Sequence, residues 1–282
     1  MDKIAFLIKQ IIKDKVTNIS RLNSGIISES YSFDTLTNKY VVRFDDKRIN
    51  FDKDLYAFKN FNNYKLPIPE IKKIGKINNR FYAISVRAKG KILREYDSKI
   101  KIKLLPQVLE ILYNIAITKI PAGFGYWNSS GQADYKNWTD FILDVRNSLS
   151  DKILGEKLIK NIKSNIDICP NDRSLIHGDF GFNNILSDGE KITAVIDWGD
   201  SKYGDFVYDI AWLVFWSSNT DYLSLFKKFY SKKGIDISYL DKRINCYLNH
   251  IAMEVLGYYD KQKDKEGYDL AYNKLVKSLE KL

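Results

Sequence analysis

Histidine and cysteine are scarce in this chain of 282 residues, which narrows the chemistry open to it. The two cysteines, Cys169 and Cys246, lie far apart and form no Cys-x-x-Cys pair. This spacing argues against a disulfide framework or a structural zinc site and favours a reducing compartment. The two histidines, His177 and His250, leave little for a histidine-based metal site. We therefore expect the protein to be cytoplasmic.

Long apolar runs are also missing. No stretch approaches the roughly 18 apolar residues that a helical membrane span requires. The first segment, MDKIAFLIKQIIKDK, places Ile4, Leu7, Ile8 and Ile11 at helical spacing, but lysines interrupt it and it has no small-residue cleavage site. It predicts an amphipathic helix and not a signal peptide, and we expect no membrane partner.

Positive charge is in modest excess, with 45 lysines and arginines against 35 aspartates and glutamates, a formal net charge of +10. Such an excess makes nucleotides or nucleic acids possible partners. The lysines are scattered, however, without a dense run or an aromatic RNA-binding motif. A solvated lysine face is the simpler interpretation, and we expect no nucleic-acid partner.

The sequence that is present predicts first a small α+β lobe. Alternating and β-branched residues in RLNSGIISESYSFDTLTNKYVVRFDD predict two or three strands, and apolar residues at spacings near 3.6 predict a helix over residues 51–64. The prolines of LPIPE require an extended segment, and IKKIGKINNRFYAISV predicts a hairpin with an Asn-Asn turn. We place this lobe at residues 1–87, followed by a hinge at residues 88–91 that contains Gly90.

The remaining residues, 92–282, predict a mainly helical second lobe. Helical spacing of apolar residues recurs in residues 99–118, 136–148, 151–166, 205–217, 220–233, 238–259 and 265–281. These segments surround one β-rich island at residues 174–197. The fold class expected from this order is α+β.

The polar residues that carry chemistry lie in that island, in LIHGDFGFNNIL and the overlapping ILSDGEKITAVIDW. The Asp-Gly pair at 188–189 marks a tight turn between two short strands and predicts a hairpin. Asn184 precedes the first strand and Asp197 follows the second, so the hairpin brings both side chains to one end. Asp179 lies in the loop just before it.

These three side chains offer only oxygen donors. A small set of hard oxygen ligands suits Mg²⁺ whose coordination is completed by water and phosphate oxygens. Phosphoryl transfer requires such an ion, together with a carboxylate that accepts the proton of the attacking hydroxyl. The pattern therefore predicts a Mg²⁺-dependent phosphoryl-transfer enzyme.

The order HGD, then Asn five residues after the aspartate, then ID and GDFVYDIA resembles the aminoglycoside phosphotransferase family, a branch of the protein-kinase-like phosphotransferases. The resemblance implies a bilobal protein-kinase-like fold, with a small β-sheet N-lobe and a mainly helical C-lobe. It implies that Asp179 is the catalytic base and that Asn184 and Asp197 hold magnesium. His177 would bond the loop backbone, and Asp209 would brace the catalytic loop by accepting hydrogen bonds.

Each of these residues has an ordinary alternative when it is taken alone. An aspartate such as Asp209 suits the first turn of any helix because it opposes the helix dipole. Asn184 suits a turn. All of the groups in the right order, with a hairpin between them, are hard to obtain by accident.

The same resemblance assigns a nucleotide site to the first lobe, for ATP or GTP as phosphoryl donor. A Ser/Gly loop, NSGIISES, would cover the phosphates, a strand arginine paired with a helix aspartate would hold them, and hinge backbone with a leucine beneath would contact the base. The residues concerned are Ser24, Gly25, Ser28, Arg43, Asp54, Val86, Ala88 and Leu186. A short polar turn is the ordinary alternative for the loop.

Arg43 departs from the lysine that most kinases carry at this point, and Asp54 from the usual glutamate. Arginine is permanently charged and bidentate, so it can hold phosphate oxygens, and its greater length offsets the shorter acid. The alternative for the pair is an exposed strand arginine and an unrelated helix aspartate, which contribute little.

The resemblance extends to the hygromycin B phosphotransferases of this family over roughly residues 20–217, through the segments FDKDLYAFKNF, LPIPEIKKIG, ISVRAKGK, GFGYWNSSGQADYKNWTDFI, CPNDRSLIHGDFGFNNIL and ITAVIDWGDSKYGDFVYDIAWLVFW. The basic continuation of that family is replaced here by SSNTD at 217–221. A polycationic acceptor requires carboxylates, amides and aromatic faces, for which we select Asn183, Asp200, Asp205 and Trp216. Core packing is the alternative for Trp216, and a plain loop acid is the alternative for Asp200.

We expect a monomer whose partners are a nucleotide and a small-molecule acceptor, and three hypotheses for its function follow. The first is an antibiotic kinase of the aminoglycoside type, hygromycin-like, which confers resistance. The second is a kinase of the same fold for another hydroxyl compound, such as a macrolide, choline or a sugar metabolite. The third is a nucleotide-binding pseudoenzyme, which the unusual Arg43 leaves open.

Overall fold

The β-branched and alternating segments of the sequence form short strands, and the segments with helical apolar spacing form helices. The computed structural model describes residues 2–12, 14–22, 29–145, 148–216 and 221–282. The strands are β1 (Thr17–Arg21), β2 (Glu29–Asp34), β3 (Lys39–Asp45), β4 (Ile71–Ile77), β5 (Arg80–Val86), β6 (Lys91–Ile92), β7 (Phe124–Trp127), β8 (Ala133–Tyr135), β9 (Ser174–Ile176), β10 (Ile185–Ser187), β11 (Ile192–Val195) and β12 (Lys202–Gly204). The helices are α1 (Asp2–Ile11), α2 (Arg48–Phe61), α3 (Ser98–Ala116), α4 (Trp138–Leu143), α5 (Lys152–Asn165), α6 (Val207–Trp216), α7 (Tyr222–Lys232), α8 (Leu240–Gln262) and α9 (Lys265–Leu279).

The chain divides into two compact units. The first unit comprises Met1–Leu105, Asn128–Gly131 and Phe182–Gly199, and the second comprises Pro106–Trp127, Gln132–Gly181 and Asp200–Leu282. The hairpin β10–β11 thus belongs to the first unit, whereas the sequence analysis counted it with the second lobe. The boundaries at residues 87 and 91 and the hinge role of residues 88–91 stay predictions.

The first unit contains a five-stranded antiparallel sheet in the order β1-β2-β3-β5-β4. Alternate residues of these strands point inward, and Phe33, Val42, Phe44 and Ile84 form its core with Ile8 of α1. The predicted amphipathic helix and the predicted strands are therefore confirmed. Burial of the apolar alternation is what sets the register of such a sheet.

The hairpin of the first unit pairs β10 with β11 and with β6. Its turn is the predicted Asp-Gly pair, with Gly189 at a φ of +94° that favours glycine. Gly90 packs against the same hairpin, since a Cβ added there would lie 1.7 Å from the carbonyl oxygen of Ser187. Thr193 Oγ1 also donates a hydrogen bond of 2.6 Å to the carbonyl of Lys89. The crossing segment is thus fixed to the hairpin at two points.

The second unit contains a four-stranded sheet in the order β8-β7-β12-β9 together with the helices that follow α3. The sequence analysis expected one β-rich island here and was wrong about β7, β8 and β12. These strands have three or four residues each, too few for an alternating pattern to stand out, and β7 and β12 contain glycine. The predicted helices are confirmed, although α4 is shorter than the predicted segment 136–148.

The architecture of each unit matches the expected α+β class, with an antiparallel sheet in the first unit and mostly helices in the second. Large side chains of the second unit, among them Trp138, Tyr208 and Tyr247, are fully buried. None of the helices in the described part of the chain is both long and apolar enough to cross a membrane.

We expect Gly204→Ala to destabilise the protein by about 1–3 kcal/mol, because overpacking a filled core strains it. A Cβ at Gly204 would lie 2.2 Å from the ring of Trp138. The matched control is Gly155→Ala within α5, where a Cβ would meet the side chain of Leu149 at an ordinary contact distance of 3.8 Å. That change should stabilise by about 0.5–1 kcal/mol through helix propensity. Urea unfolding measures both, and equal effects of the two changes would contradict the packing argument.

Candidate active site

The HGD loop of the second unit is held by one buried carboxylate. Strand β9 ends at Ile176, and the backbone N–H groups of His177 and Gly178 then each donate a hydrogen bond of 2.8 Å to a different carboxylate oxygen of Asp209. Asp209 lies in the first turn of α6 and is 2% exposed. The hydrogen bonds predicted for Asp209 are therefore present, and they fix the backbone just before Asp179.

Close packing explains the glycine and the histidine of this loop. Gly178 has a φ of +84°, and a Cβ there would lie 2.1 Å from the carbonyl oxygen of Asp200. No other residue fits this position without strain. His177 is fully buried, and its Nδ1 accepts a hydrogen bond of 3.3 Å from the backbone N–H of Asp179. Phe180 is buried beside it, so the loop leaves Asp179 half-buried.

The environment of Asp209 makes its charge sensitive to pH. Burial raises the pKa of Asp209 to about 6, while the two backbone hydrogen bonds and attraction to Lys202 act in the opposite direction. The charged form is the one that accepts both loop hydrogen bonds without competition. The anchor of the loop is thus a carboxylate that titrates close to neutrality.

In the first unit, the hairpin brings Asn184 and Asp197 to one end, as predicted. The backbone N–H of Ile196 donates a hydrogen bond of 2.9 Å to the carbonyl of Asn184, which makes Asp197 the next residue beyond the ladder. Asn184 is 7% exposed, whereas the Asp197 side chain is 51% exposed. Asp197 also has a left-handed backbone, with a φ of +66°. An amide and a carboxylate oxygen at one hairpin end fit the donor chemistry of Mg²⁺.

Arg43 connects this hairpin end to helix α2. It lies on the central strand β3 and forms an ion pair with Asp54 of α2, while its Nη1 lies 3.8 Å from Asp197 Oδ1. Its guanidinium also stands 5.2 Å from the centre of the Phe51 ring, a cation–π distance. Burial lowers the pKa of Arg43, but Asp54 and Asp197 outweigh it and the net shift is upward. The alternative of an exposed strand arginine is excluded by this arrangement.

Helix α2 also holds the backbone that follows Asp197. The backbone N–H of Trp198 donates a hydrogen bond of 2.9 Å to the second oxygen of Asp54. Lys53, which is 3% exposed, donates one of 2.6 Å to the carbonyl of Gly199. The sequence analysis missed Lys53, because a lysine on an amphipathic helix ordinarily faces solvent. No signal in the sequence separates it from Lys59, the other lysine of α2.

A cavity of about 310 Å³ in the first unit contains two of the predicted hinge residues. It is lined by Phe58, Ile68, Pro69, Glu70, Val86, Ala88 and Thr193. The N–H of Val86 donates to the carbonyl of Glu70 at 2.9 Å, so this donor is already engaged. Leu186 is half-buried in β10, where it pairs with Ile92. The LPIPE motif was the signal for the additional lining residues, since its prolines keep that segment extended beside the hinge.

Three residues of the predicted phosphate loop fall in the segment before β2. Ser24, Gly25 and Ser28 lie outside the residues that the structure describes. Strand β2 begins directly after this segment, at Glu29.

The residues selected for the acceptor are divided between the two units. Asn183 is exposed in the first unit, where its Oδ1 accepts a hydrogen bond of 3.3 Å from Arg94. Asp200 is exposed in the second unit. Trp216 is half-buried at the end of α6 and packs against Phe215, with ring centres 5.0 Å apart. Asn183 and Asp200 thus have the exposure that contact with a substrate requires.

Asp205 has a structural role in the fold instead. Its side chain has no exposed surface, it forms an ion pair with Arg243, and it accepts a hydrogen bond of 2.6 Å from the Tyr247 hydroxyl. A carboxylate buried in this way does not contact a substrate. The assignment of Asp205 to the acceptor is therefore corrected, and the reason is a pairing with α8 that the local sequence does not reveal.

Comparison with known proteins agrees with this geometry. A family model, the phosphotransferase enzyme family, matches residues 18–226. The hygromycin-B 4-O-kinase of Escherichia coli is 29% identical over 264 residues, which cover 89% of this chain and 76% of that protein.

Solved structures give the same result. The crystal structure of the aminoglycoside phosphotransferase APH(4)-Ia has a TM-score of 0.87 at 25% identity and covers 99% of this chain and 98% of its own. A thermostable mutant of that protein has been crystallised with ADP and hygromycin B, with the same TM-score. A spectinomycin phosphotransferase, APH(9)-Ia, has a TM-score of 0.69 at 13% identity over 100% of this chain and 98% of its own, a likeness of fold alone.

We expect Asp54→Ala to lower the free energy of unfolding by about 3–5 kcal/mol, because it leaves a half-buried guanidinium and a backbone N–H without their acceptor. The matched control on the same helix is Asp52→Ala, which removes an i,i+4 pair with the 59% exposed side chain of Arg48. Such a surface pair contributes about 0.5 kcal/mol or less. Urea unfolding measures the free energy of unfolding of both variants. A similar decrease in the two variants would show that the contacts of Asp54 stabilise the fold no more than an exposed surface pair does.

Proposed function

Because the chain belongs to the phosphotransferase enzyme family, we propose that it transfers the γ-phosphoryl group of ATP or GTP to a hydroxyl group of an aminoglycoside antibiotic of the hygromycin type. Such a reaction would confer resistance on the cell that carries it. The proposal of the acceptor rests on the likeness to the hygromycin-B 4-O-kinase and to APH(4)-Ia.

The observation that carries the proposal is the arrangement at the hairpin end of the first unit. Asn184 and Asp197 lie at the same end of the hairpin, and Arg43 reaches toward Asp197 from β3 while Asp54 anchors it. An amide, a carboxylate and a permanent cation are the groups that a nucleoside triphosphate with its metal ion requires. A hairpin with a purely structural role does not require an amide, a carboxylate and an arginine at the same end.

The nucleotide base would occupy the cavity of the first unit. Its walls include the apolar side chains Ile68, Pro69 and Val86, which suit the faces of a flat heterocycle. Ala88 lies in the hinge segment, past the last residue of β5, where its backbone groups can meet the polar edge of a base. Arg43 would then hold phosphate oxygens through its planar fork.

Asn184 and Asp197 would hold Mg²⁺. When it is bound, this ion neutralises charge that develops on the phosphates during transfer. Asp197 has the greater exposure of the two, and its left-handed backbone turns its side chain out of the line of the strand. The hydrogen bonds of Asp54 to Trp198 and of Lys53 to Gly199 hold the backbone that follows Asp197 and so stabilise this conformation.

Asp179 would act as the general base. A bond forms between the acceptor oxygen and the γ-phosphorus, the bond from that phosphorus to the β,γ-bridging oxygen breaks, and the nucleoside diphosphate departs. The proton of the acceptor hydroxyl passes to the Asp179 carboxylate. The hydrogen bonds of His177 and Gly178 to Asp209 give this carboxylate a fixed backbone from which to act.

Release of ADP and GDP by the purified protein with Mg²⁺ tests the function directly. The acceptors are hygromycin B, kanamycin, a macrolide, choline and no acceptor. We expect turnover with hygromycin B or another aminoglycoside. Turnover only with the macrolide or with choline would retain the reaction class but replace the acceptor class. Nucleotide binding without turnover on any acceptor would contradict the proposal and favour a pseudoenzyme.

Asp179→Asn should lower kcat by about 10²–10⁴-fold, the usual contribution of a general base, with little change in nucleotide affinity. The substitution keeps the shape of the side chain and removes its basicity. The matched control is Asp172→Asn, which changes an exposed acid of the same unit. Steady-state kinetics and nucleotide titration measure both. A variant with wild-type kcat would remove Asp179 from the mechanism.

Asn184→Ala should raise the Mg²⁺ concentration needed for half-maximal turnover by about tenfold or more, as expected when a metal site loses a partner. Asn60→Ala is the matched control, because Asn60 is an exposed asparagine of the same unit whose side chain donates a hydrogen bond of 2.9 Å to the carbonyl of Tyr56 on α2. Its Mg²⁺ requirement should stay at the wild-type value. The same Mg²⁺ titration for Asn184→Ala and wild type would refute the ligand role.

A further inference from the structure

Lys202 is a lysine in the interior of the second unit, with 2% of its surface exposed. It lies in β12 and pairs with Ile176 of β9, the residue directly before the HGD loop. Burial of an ammonium group is costly unless its surroundings compensate for the lost water. A lysine buried beside the HGD loop at this cost is a candidate for a role in that loop.

Aromatic rings and the loop itself fix the position of this ammonium group. Lys202 Nζ lies 4.2 Å from the centre of the Tyr208 ring and 4.8 Å from that of Tyr126, both cation–π distances. A Cβ added at Gly178 would lie 3.0 Å from the same nitrogen. The ammonium group is thus held directly beneath the glycine of the loop.

Acidic groups surround Lys202 from several elements. The carboxylates that act on it are Asp200, Asp209 of α6, Glu254 of α8 and Asp179 of the loop. The other titratable groups nearby are the phenols of Tyr126 and Tyr208 and the imidazoles of His177 and His250, of which His250 Nδ1 lies 3.2 Å from the Tyr208 hydroxyl. Burial lowers the pKa of Lys202, and the four carboxylates oppose this shift without cancelling it.

We propose that Lys202 is a positioning residue whose ammonium group keeps the Asp209 carboxylate charged, so that both hydrogen bonds from Asp209 to the catalytic loop persist at neutral pH. The proposal concerns the loop geometry of the second unit alone. Its consequence for turnover rests on the proposed function, because only then does the position of Asp179 matter to a reaction.

Protonation of the Asp209 carboxylate would weaken its hydrogen bonds to the HGD loop. Each oxygen of the Asp209 carboxylate accepts one N–H, from His177 and from Gly178. A proton on either oxygen adds a third hydrogen to this face and weakens one of these bonds. Burial already raises the pKa of Asp209 to about 6, and attraction to Lys202 lowers it. Without the ammonium charge, the pKa of Asp209 rises further, and protonation of the anchor reaches the neutral range.

The first test follows the amide resonance of Gly178 against pH by NMR, in wild type and in Lys202→Met, which keeps length and loses charge. The wild-type midpoint should lie near the Asp209 pKa of about 6. We expect the midpoint of Lys202→Met to be higher by about one pH unit, a tenfold change in the protonation equilibrium. An unchanged midpoint would overturn the proposal.

Lys233→Met is the matched control. Lys233 also stands over two rings, with Nζ 4.7 Å from the Tyr113 centre and 5.3 Å from that of Phe229, but its ion pair is with Glu110. Its loss removes a lysine of the same kind and the same charge from the second unit. The Gly178 midpoint should stay at the wild-type value, and a shift equal to that of Lys202→Met would mean that total charge and not Lys202 acts.

Turnover provides the second test. The acid limb of the kcat profile should move to higher pH in Lys202→Met, so that kcat is about fivefold below wild type near pH 6 and within about twofold near pH 8.5. An equal loss at every pH is the signature of a merely structural lysine and would overturn the proposal. Absence of turnover in the wild-type protein would instead contradict the proposed function. The NMR titration would still test the role of Lys202, because it does not depend on turnover.

A measurement on the wild-type protein covers the case in which Lys202→Met does not fold. The ¹³Cε and ¹⁵Nζ resonances of Lys202 report its charge. We expect an ammonium group throughout the pH range in which the Gly178 amide titrates. A neutral amine within that range would refute the proposal without any substitution.

Discussion

The two hydrogen bonds that Asp209 accepts from the backbone of His177 and Gly178 are the constraint on which the HGD loop depends. A buried carboxyl group accepts two donors most strongly while it is charged, and charge in the interior is costly. The fold meets this cost with the N–H groups themselves and with the ammonium of Lys202. Gly178 also packs tightly against the carbonyl of Asp200, which restricts the backbone of the loop further. The placement of Asp179 follows from these contacts.

The first unit uses the same device. There Asp54 of α2 accepts a hydrogen bond from the backbone N–H of Trp198, the residue after Asp197, and also pairs with Arg43. In each unit, therefore, a helix carboxylate accepts backbone N–H groups and fixes the segment next to an acid for which we propose a function, Asp179 in one unit and Asp197 in the other. The acid itself is left more exposed than the residue that anchors its neighbour. Rigid support beneath a reactive group is the general requirement for precise chemistry.

The sequence predicted the parts of this arrangement that are local. The Asp-Gly turn and the short apolar strands around it were sufficient to place Asn184 and Asp197 at one hairpin end, and helical spacing predicted most of the helices. Among the contacts made over longer separations, the resemblance to a family implied those of Asp209 with the HGD loop and of Arg43 with Asp54, but local sequence did not reveal the others. Lys53 and Lys202 resemble surface lysines in sequence, and Asp205 pairs with Arg243 of α8, which lies 38 positions further along the chain. Strands of three residues, such as β12, carry too little pattern to be recognised.

The buried acids differ in how closely a basic side chain pairs with them. Three interior acids, Asp54, Asp205 and Asp209, each have a basic partner, and for the first two that partner is an arginine at hydrogen-bond distance. Asp209 has instead the ammonium of Lys202, which stands between two tyrosine rings. A direct ion pair holds a carboxylate charged more firmly than attraction across a gap does. Burial raises the pKa of Asp209 to about 6, so the carboxylate that anchors the HGD loop loses its charge as the pH falls through that range.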